Sequence, residues 1–335
     1  MSDKINVRFF QRKPYASGYY SLEFIFSDIR SRLTDKINAR LFISSFYSNG
    51  IIRRIFNVIE AWFRQGDVNI ICGDIHYICF LMNKKKTVLS ILDCGFLYDS
   101  SGIKRWLQLL LWLKIPILRV NYITTISEYS KNDIIYNTSA NPDKVIVIPV
   151  AINEIYKHYP KIYNNEKPVL LQVGEAENKN LVRIIEAIRG LEVKLSIVGK
   201  VASKNIRFLN QYDIDYTNAY GITDAEVLQR YIECDILLFP STFEGFGMPI
   251  LEAQAVGRPV ITSTTTSMPW VAGDAACFVD PYSTESIRSA ILKIIRDNRY
   301  REELVLKGLE NVKRFNPEMI AGMYYDIFQK IKHES

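Results

Sequence analysis

The chain of 335 residues has the composition of a globular protein large enough for two domains. Apolar residues make up 48% and charged residues 23% of it, which excludes a disordered chain. Residues 1–160 contain 21 Lys and Arg against 13 Asp and Glu, a net +8, whereas the remainder contains 21 against 23, a net −2. Either the first half faces an anionic partner, or its positive charges are scattered over a solvated surface.

Short apolar runs alternate with helix-patterned stretches through the first half, as in parallel sheets with crossover helices. The predicted strands are Asn6–Phe10, Ala39–Ile43, Val68–Cys72, Thr87–Ile91, Tyr122–Ile126 and Val145–Ile148. The predicted helices are Tyr19–Leu33, Ile51–Phe63 and Glu128–Tyr136. The first thirteen residues predict a strand and not a signal peptide, and the five cysteines form no C-x-x-C pair, so we expect a cytoplasmic protein.

The longest apolar stretch, Trp106–Leu113, is far shorter than the roughly 20 residues that cross a bilayer. Basic residues surround it, namely Lys104, Arg105, Lys114 and Arg119. Two interpretations stay open. The stretch is a buried core helix, or it lies in a membrane interface with its tryptophans at the depth of the lipid headgroups.

Residues 151–167 lose the apolar rhythm and predict a linker, after which the alternation of strands and helices restarts. The predicted strands are Val169–Val173, Lys194–Val198, Ile236–Phe239, Pro259–Thr262 and Cys277–Val279. The predicted helices are Leu181–Arg189, Ala225–Glu233, Pro249–Val256, Thr284–Asp297, Tyr300–Arg314 and Pro317–Lys330. We therefore predict an α/β protein with domains at 1–155 and 156–316 and a last helix at 317–332.

The densest chemical signal is STFEGFGMPILE, which runs from Ser241 to Glu252 directly after an apolar strand. A glycine-bearing loop between a strand and a helix presents backbone N–H groups and a helix N-terminus to an anion. Glu244 and Glu252 would add carboxylates that accept hydrogen bonds from sugar hydroxyls. The alternative is structural: Glu244 caps the helix, and Glu252 is a surface residue.

A second strand ends at Gly174 and is followed by Glu175 and by Lys179 just before a helix. An ammonium at a helix N-terminus opposes the helix dipole, so Lys179 is poorly placed for stability and well placed for a diphosphate. A solvated lysine is the alternative.

These residues resemble the family 4 (group 1) retaining glycosyltransferases. The resemblance rests on the E-x7-E spacing inside EGFGMPILEAQAVGRPVI, from Glu244 to Ile261, and on QVGEAENKN, from Gln172 to Asn180. It covers residues 168–297, whereas the first half matches only in layout. It implies the GT-B fold, with two facing Rossmann-like domains and a C-terminal helix that crosses back to the first domain.

By this resemblance, Lys179 binds the diphosphate of a nucleotide-sugar donor, Glu252 binds the ribose hydroxyls, and Glu244 binds the transferred sugar. Further donor contacts are implied for Gly174, Glu175, Gly199, Tyr220, Gly245, Phe246 and Gly247. One departure matters, because many relatives have Arg or Thr where this chain has Glu175. A carboxylate cannot neutralise phosphate, so either Lys179 carries more of that task or Glu175 contacts the sugar.

The first half is expected to supply the acceptor site. Gly18 is a candidate for a loop that closes over the donor. His76 follows a predicted strand and is a candidate catalytic residue near the anomeric carbon, although a structural histidine fits the pattern equally well. Asp213-Ile214-Asp215 has the spacing of a metal-binding D-x-D motif, but without matching context we interpret it as loop and strand, and no metal or cofactor is expected.

The resemblance implies a retaining transferase that moves a hexose to an acceptor hydroxyl. A basic first domain favours a lipid-linked glycan as acceptor, in the synthesis of O-antigen, capsule or exopolysaccharide at the inner face of the cytoplasmic membrane. Two alternatives stay open: an epimerase of nucleotide-sugars, and a non-catalytic subunit that keeps the fold. No nucleic-acid recognition motif accompanies the basic residues, so nucleic acid is not an expected partner.

Overall fold

The computed structural model describes residues 4–14 and 21–334, which form two compact units. The first unit comprises the chain up to Ala151 together with the segment from Pro317 onward, and the second unit is Ile152–Asn316. The change of unit after Ala151 falls at the start of the segment that lacks the apolar rhythm.

The sheet of the first unit has six strands, and each pairing is parallel. The strands are β1 (Ile5–Gln11), β2 (Ile37–Ile43), β3 (Val68–Cys72), β4 (Thr87–Ser90), β5 (Tyr122–Thr125) and β6 (Val145–Val147). They lie in the order β2-β1-β3-β4-β5-β6. All six predicted strands of this half are confirmed, with ends within two residues. Strands β3, β4 and β5 are fully buried, as is typical of parallel sheets, whereas the edge strand β2 is mostly exposed.

Helices cover this sheet: α1 (Ser21–Arg32), α2 (Ile51–Phe63), α3 (Gly102–Gln108), α4 (Ile115–Leu118) and α5 (Glu128–Thr138). A π-helical turn, Leu109–Lys114, joins α3 to α4. The apolar stretch there does not form a buried core helix, because Trp106 is 59% exposed while Leu113 is buried.

The final helix, α13 (Pro317–Glu334), packs on the first unit. This agrees with the prediction that a C-terminal helix crosses back to the first domain. Phe328 contacts Phe9 of β1 edge to face, with 6.2 Å between ring centroids, and Tyr324 contacts Phe26 of α1 at 6.0 Å. Aromatic pairs in this geometry stabilise beyond the area that they bury. The last helix is therefore part of the first unit's core.

The sheet of the second unit also has six parallel strands. They are β7 (Val169–Val173), β8 (Lys194–Val198), β9 (Tyr216–Ala219), β10 (Ile236–Phe239), β11 (Val260–Ser263) and β12 (Cys277–Val279). Sequence patterns predict all of these except β9, a partly exposed edge strand whose sequence YTNA has no apolar run.

The helices of this unit are α6 (Leu181–Ile188), α7 (Ser203–Gln211), α8 (Asp224–Glu233), α9 (Met248–Val256), α10 (Met268–Ala272), α11 (Thr284–Arg296) and α12 (Asn298–Asn311). The pattern does not predict α7 or the five-residue helix α10. Helix α8 begins at a capping box, in which Thr223 and Glu226 satisfy each other's backbone N–H groups.

The strand order β12-β11-β10-β7-β8-β9 positions the site. After β7 the chain builds outward through β8 and β9, and it then returns to the other side of β7 with β10. The loops that follow β7 and β10 therefore leave the sheet in opposite directions and open a crevice at its carboxyl edge. Ligands of open parallel sheets bind at such a switch point.

None of the helices within residues 4–14 and 21–334 combines the length and the apolar character that crossing a bilayer requires.

Candidate functional site

Two asparagines join the loops that follow β7 and β10. The side-chain amide of Asn178 donates to the carbonyl of Phe243 at 2.7 Å, and the backbone carbonyl of Asn178 accepts from the N–H of Thr242 at 2.8 Å. Asn180 is buried, and its amide donates to the carbonyl of Pro240 at 2.9 Å. Because both loops are held at several points, the short segment between the asparagines has a fixed place at the crevice.

That segment is Lys179, whose ammonium lies 2.6 Å from Oε1 of Glu244. The side chains are 18% and 13% exposed, and the ammonium lies 4.8 Å from the centroid of the Phe239 ring. Gly174 makes room for the lysine, because a Cβ there would lie 2.7 Å from Cε of Lys179 and the backbone φ is +103°. The glycine is therefore needed for both its backbone conformation and its missing side chain.

The loop after β11 supports the backbone of Glu244. The Glu244 N–H donates to the hydroxyl of Thr266 at 3.2 Å, and the hydroxyl of Ser267 lies within hydrogen-bonding distance of the carbonyls of Glu244 and Phe246. Gly247, at φ +118°, turns the chain into α9. The carboxylate, the ammonium and a helix N-terminus thus share one edge of the sheet, where an anion is stabilised by the helix dipole.

Glu252 lies on α9 and accepts a hydrogen bond from the hydroxyl of buried Tyr231 at 2.5 Å. Burial raises the pKa of the Glu252 carboxyl to about 7, with a smaller contribution from the charge of Asp224, while the Tyr231 hydrogen bond and the Lys179 charge oppose the shift. Ionising the Glu252 carboxyl in this buried position therefore costs free energy. Carboxyls with a perturbed pKa are common where a side chain binds a ligand.

Glu175 follows β7 and makes a contact within the second unit. Its carboxylate accepts a hydrogen bond from the backbone N–H of Lys200 at 2.6 Å and so ties the β7 loop to the β8 loop. A Cβ on Gly199, at φ +134°, would lie 3.1 Å from the backbone of Gly174. Tyr220 follows β9 and is 63% exposed. Contact of these residues with a donor stays a prediction.

The side chain of Phe246 is not available at the crevice. It is 5% exposed and contacts the rings of Trp270 and Phe315, with centroids at 6.3 and 5.8 Å. The predicted donor contact at this position is therefore left to the backbone, together with that of Gly245, which is partly exposed.

In the first unit, His76 is buried, and its Nδ1 lies 2.6 Å from the carbonyl of Trp112. A carbonyl only accepts, so Nδ1 carries the proton. Burial lowers the pKa of His76, which keeps the ring neutral near pH 7. Its catalytic role stays a prediction, and Gly18 lies outside the described residues.

The D-x-D segment comes immediately before β9 and therefore lies at the amino ends of the strands, whereas the Lys179–Glu244 pair lies at their carboxyl ends. Asp215 pairs with Lys167 at 2.8 Å, and Asp213 adopts φ +50° in a turn. Within the described ranges, no group of three His, Cys, Asp or Glu side chains could hold a metal ion.

Sequence patterns overlooked several residues that shape the site, namely Asn178, Asn180, Tyr231, Thr266 and Ser267. Of these residues, the two asparagines could have been found from the local sequence, because a polar side chain on each side of a lysine before a helix suits turn and capping geometry. Tyr231 and Thr266 come from distant parts of the chain, so their contacts arise only when α8 and α9 pack and the β11 loop folds.

The site can bind a ligand that combines phosphate with hydroxyl groups. An ammonium and the amides of a helix N-terminus stabilise negative charge, whereas two carboxylates accept from hydroxyls. A nucleoside diphosphate sugar has both kinds of group.

Comparison with known proteins agrees with this chemistry. The family model described as Glycosyl transferases group 1 matches residues 157–310. The O-antigen chain mannosyltransferase B of Escherichia coli is 28% identical over 229 residues, which cover 58% of this chain and 57% of that protein. The match therefore spans less than two thirds of the relative's length.

Two solved structures superpose on nearly the whole chain. Sucrose-phosphate synthase from Thermosynechococcus elongatus has a TM-score of 0.80 at 15% identity and covers 99% of this chain and 100% of its own. HepE of Anabaena, in complex with UDP and glucose, has a TM-score of 0.78 at 14% identity and covers 97% and 100%. These likenesses confirm the GT-B fold, and within it residues 157–310 match the model of the group 1 glycosyltransferases.

Proposed function

We propose that this chain is a retaining glycosyltransferase that moves a hexose from a nucleoside diphosphate sugar to an acceptor hydroxyl. The observation that carries the proposal is the pair of Lys179 and Glu244, 2.6 Å apart at the switch point of the second sheet. A buried ion pair is weak evidence for a purely stabilising role. The same groups suit a ligand that offers phosphate to the ammonium and hydroxyls to the carboxylate.

In this proposal the diphosphate takes the place of Glu244 beside the ammonium of Lys179. The bond from the anomeric carbon to the diphosphate oxygen breaks, the acceptor oxygen attacks from the same face, and its proton passes to the departing diphosphate. Lys179 and the N-terminus of α9 stabilise the charge that develops on the leaving group. Glu244 accepts from the transferred sugar, and Glu252 accepts from the ribose.

Support for a hexose comes from HepE, whose structure contains UDP and glucose, and from the relative named as a mannosyltransferase. The name of that relative also supports an acceptor in O-antigen synthesis. We extend the proposal to a lipid-linked glycan acceptor at the cytoplasmic face of the membrane, because the first half carries a net +8. No resident metal is part of the proposal, since Lys179 and backbone amides meet the diphosphate.

A donor screen tests the proposal. Thermal stability is measured with UDP-glucose, UDP-galactose and GDP-mannose, because a ligand that binds only the folded state raises the melting temperature. The stabilising donor is then incubated with lipid-linked glycan in the presence of EDTA. Transfer with retained anomeric configuration supports the proposal. Conversion of the donor without acceptor indicates the epimerase alternative, and no stabilisation by any nucleotide-sugar contradicts the proposal.

A further inference from the structure

Helix α2 presents its large apolar side chains to solvent. The side chains of Ile52, Ile55, Phe56, Ile59, Trp62 and Phe63 are between 42% and 83% exposed. The buried face of α2 carries Asn57, Val58 and Ala61, and the helix contacts the segment His76–Leu81. An ordinary surface helix has the reverse arrangement, with its apolar stripe towards the core. Folding of this unit therefore does not account for the apolar stripe of α2.

Helix α3 also exposes large apolar side chains. Ile103 is 79% exposed and Trp106 is 59% exposed. The guanidinium of Arg54 on α2 lies 4.6 Å from the centroid of the Trp112 ring, in the π-helical turn after α3. Arg54 and Ile103 also line one pocket of about 680 Å³. The outer stripe of α2 and the exposed residues of α3 thus form adjacent parts of one surface, which we name the α2–α3 face.

The charges on the α2–α3 face are mostly positive. Arg53, Arg64, Lys104 and Arg105 are exposed on the two helices or directly after them. Glu60 is the acidic residue of α2, and it pairs with Arg64 at 3.0 Å. An apolar stripe bordered by cations suits a surface that offers both hydrocarbon and negative charge.

We infer that the α2–α3 face docks on an anionic lipid bilayer, with the exposed aromatic and isoleucine side chains at the level of the headgroups. The inference deepens the proposed function and rests on it, because a lipid-linked acceptor is found at such a surface. A protein partner would have to supply acidic groups opposite these cations, because protein interfaces place charges of opposite sign against each other. Tryptophan is enriched at membrane–water interfaces, and this face exposes Trp62 and Trp106.

Sedimentation with vesicles tests the inference. The full chain is mixed with vesicles of phosphatidylglycerol and phosphatidylcholine in equal amounts, or with phosphatidylcholine alone, at low and at high salt. We expect binding to the mixed vesicles that weakens with salt, because surface charge is screened within a Debye length. Equal binding to both kinds of vesicle, or binding to neither, overturns the inference.

A triple variant, Ile52→Gln, Ile55→Gln and Phe63→Gln, removes apolar area from the face without touching the core. We expect the partition into mixed vesicles to fall at least about tenfold, since interfacial binding scales with buried apolar area. The matched control is Tyr136→Gln, Ile162→Gln and Leu306→Gln, three apolar residues that are 86%, 93% and 69% exposed elsewhere. The control variant should bind as the original chain does.

A charge variant, Arg53→Gln, Lys104→Gln and Arg105→Gln, should lower the partition by a similar factor and flatten its salt dependence. Its matched control is Lys204→Gln, Arg296→Gln and Arg299→Gln, three exposed cations of the second unit. An equal loss in the control would mean that only net charge matters, which overturns the assignment to this face. A chain that is oligomeric in solution and becomes monomeric in the apolar variant, without vesicle binding, overturns it in favour of self-association.

Transfer to a short-chain, water-soluble acceptor separates the two proposals. Variants of the α2–α3 face should keep this activity and lose transfer to acceptor embedded in vesicles. Absence of both activities in the original chain, with vesicle binding intact, contradicts the proposed function and leaves the docking face standing. Equal transfer to embedded acceptor by the original chain and the apolar variant contradicts the docking face alone.

Discussion

Replacing Glu252 by glutamine removes a carboxyl that the folded protein ionises with difficulty. Its pKa is raised from 4.5 to about 7, chiefly by burial, so the folded protein holds this proton more tightly than the unfolded chain. The free energy of unfolding therefore falls as the pH rises from about 4.5 to about 7, and it stays low above that range. The shift corresponds to about 3 kcal/mol, at about 1.4 kcal/mol for each pH unit.

Glutamine keeps an oxygen that accepts from Tyr231 and carries no charge. We expect Glu252→Gln to match the original chain near pH 4.5 and to be more stable by about 2–3 kcal/mol at pH 8. Urea unfolding of both proteins at the two pH values measures the difference. The affinity for the donor should change with pH in the opposite direction to the stability of the original chain. In the original chain it rises between pH 6 and 8 as the carboxylate forms, and in the variant it is weak and independent of pH.

The matched control is Glu226→Gln in the same unit. Backbone and side-chain hydrogen bonds from Thr223 lower the pKa of Glu226, so its contribution to stability is present at neutral pH and is lost as the pH falls through the acidic range. This variant should be less stable than the original chain at pH 8, the reverse of Glu252→Gln. If Glu252→Gln were no more stable than the original chain at pH 8, the burial argument for Glu252 would be refuted.

Three further substitutions test the geometry of the site. Lys179→Met should weaken donor binding at least about tenfold in calorimetry while circular dichroism stays unchanged, and an unaltered affinity would show that the ammonium does not meet the diphosphate. Gly174→Ala should destabilise the chain by about 2–4 kcal/mol, because the new methyl group meets Lys179 at 2.7 Å and the backbone φ is +103°. Gly190→Ala, at φ +68° with open space, is its control and should cost only about 1 kcal/mol in chemical denaturation. Asn180→Ala should lower stability by about 2–3 kcal/mol in the same assay, because it leaves the carbonyls of Pro240 and Pro281 without this donor, and a change below about 0.5 kcal/mol would contradict that account.

Several parts of the protein follow from its sequence alone. Strands of parallel sheets are short and mostly apolar, so the sequence predicts eleven of the twelve strands in the described residues and misses β9, whose sequence YTNA has no apolar run. The motif from Glu244 to Glu252 is local as well, because a strand, two glycines and a proline at N1 or N2 of a helix suffice to predict the loop before α9.

Tertiary structure decided which of these side chains meet. Lys179 and Glu244 are 65 residues apart in the chain, and only the return of the chain from β9 to β10 brings their loops together. The environment of Glu252 depends on Tyr231 from another helix, and Phe246 turns into an aromatic cluster that no local pattern reveals. The exposure of the apolar stripe of α2 also depends on tertiary structure. A helical period in the sequence predicts that a helix is amphipathic, but packing decides which of its sides is buried.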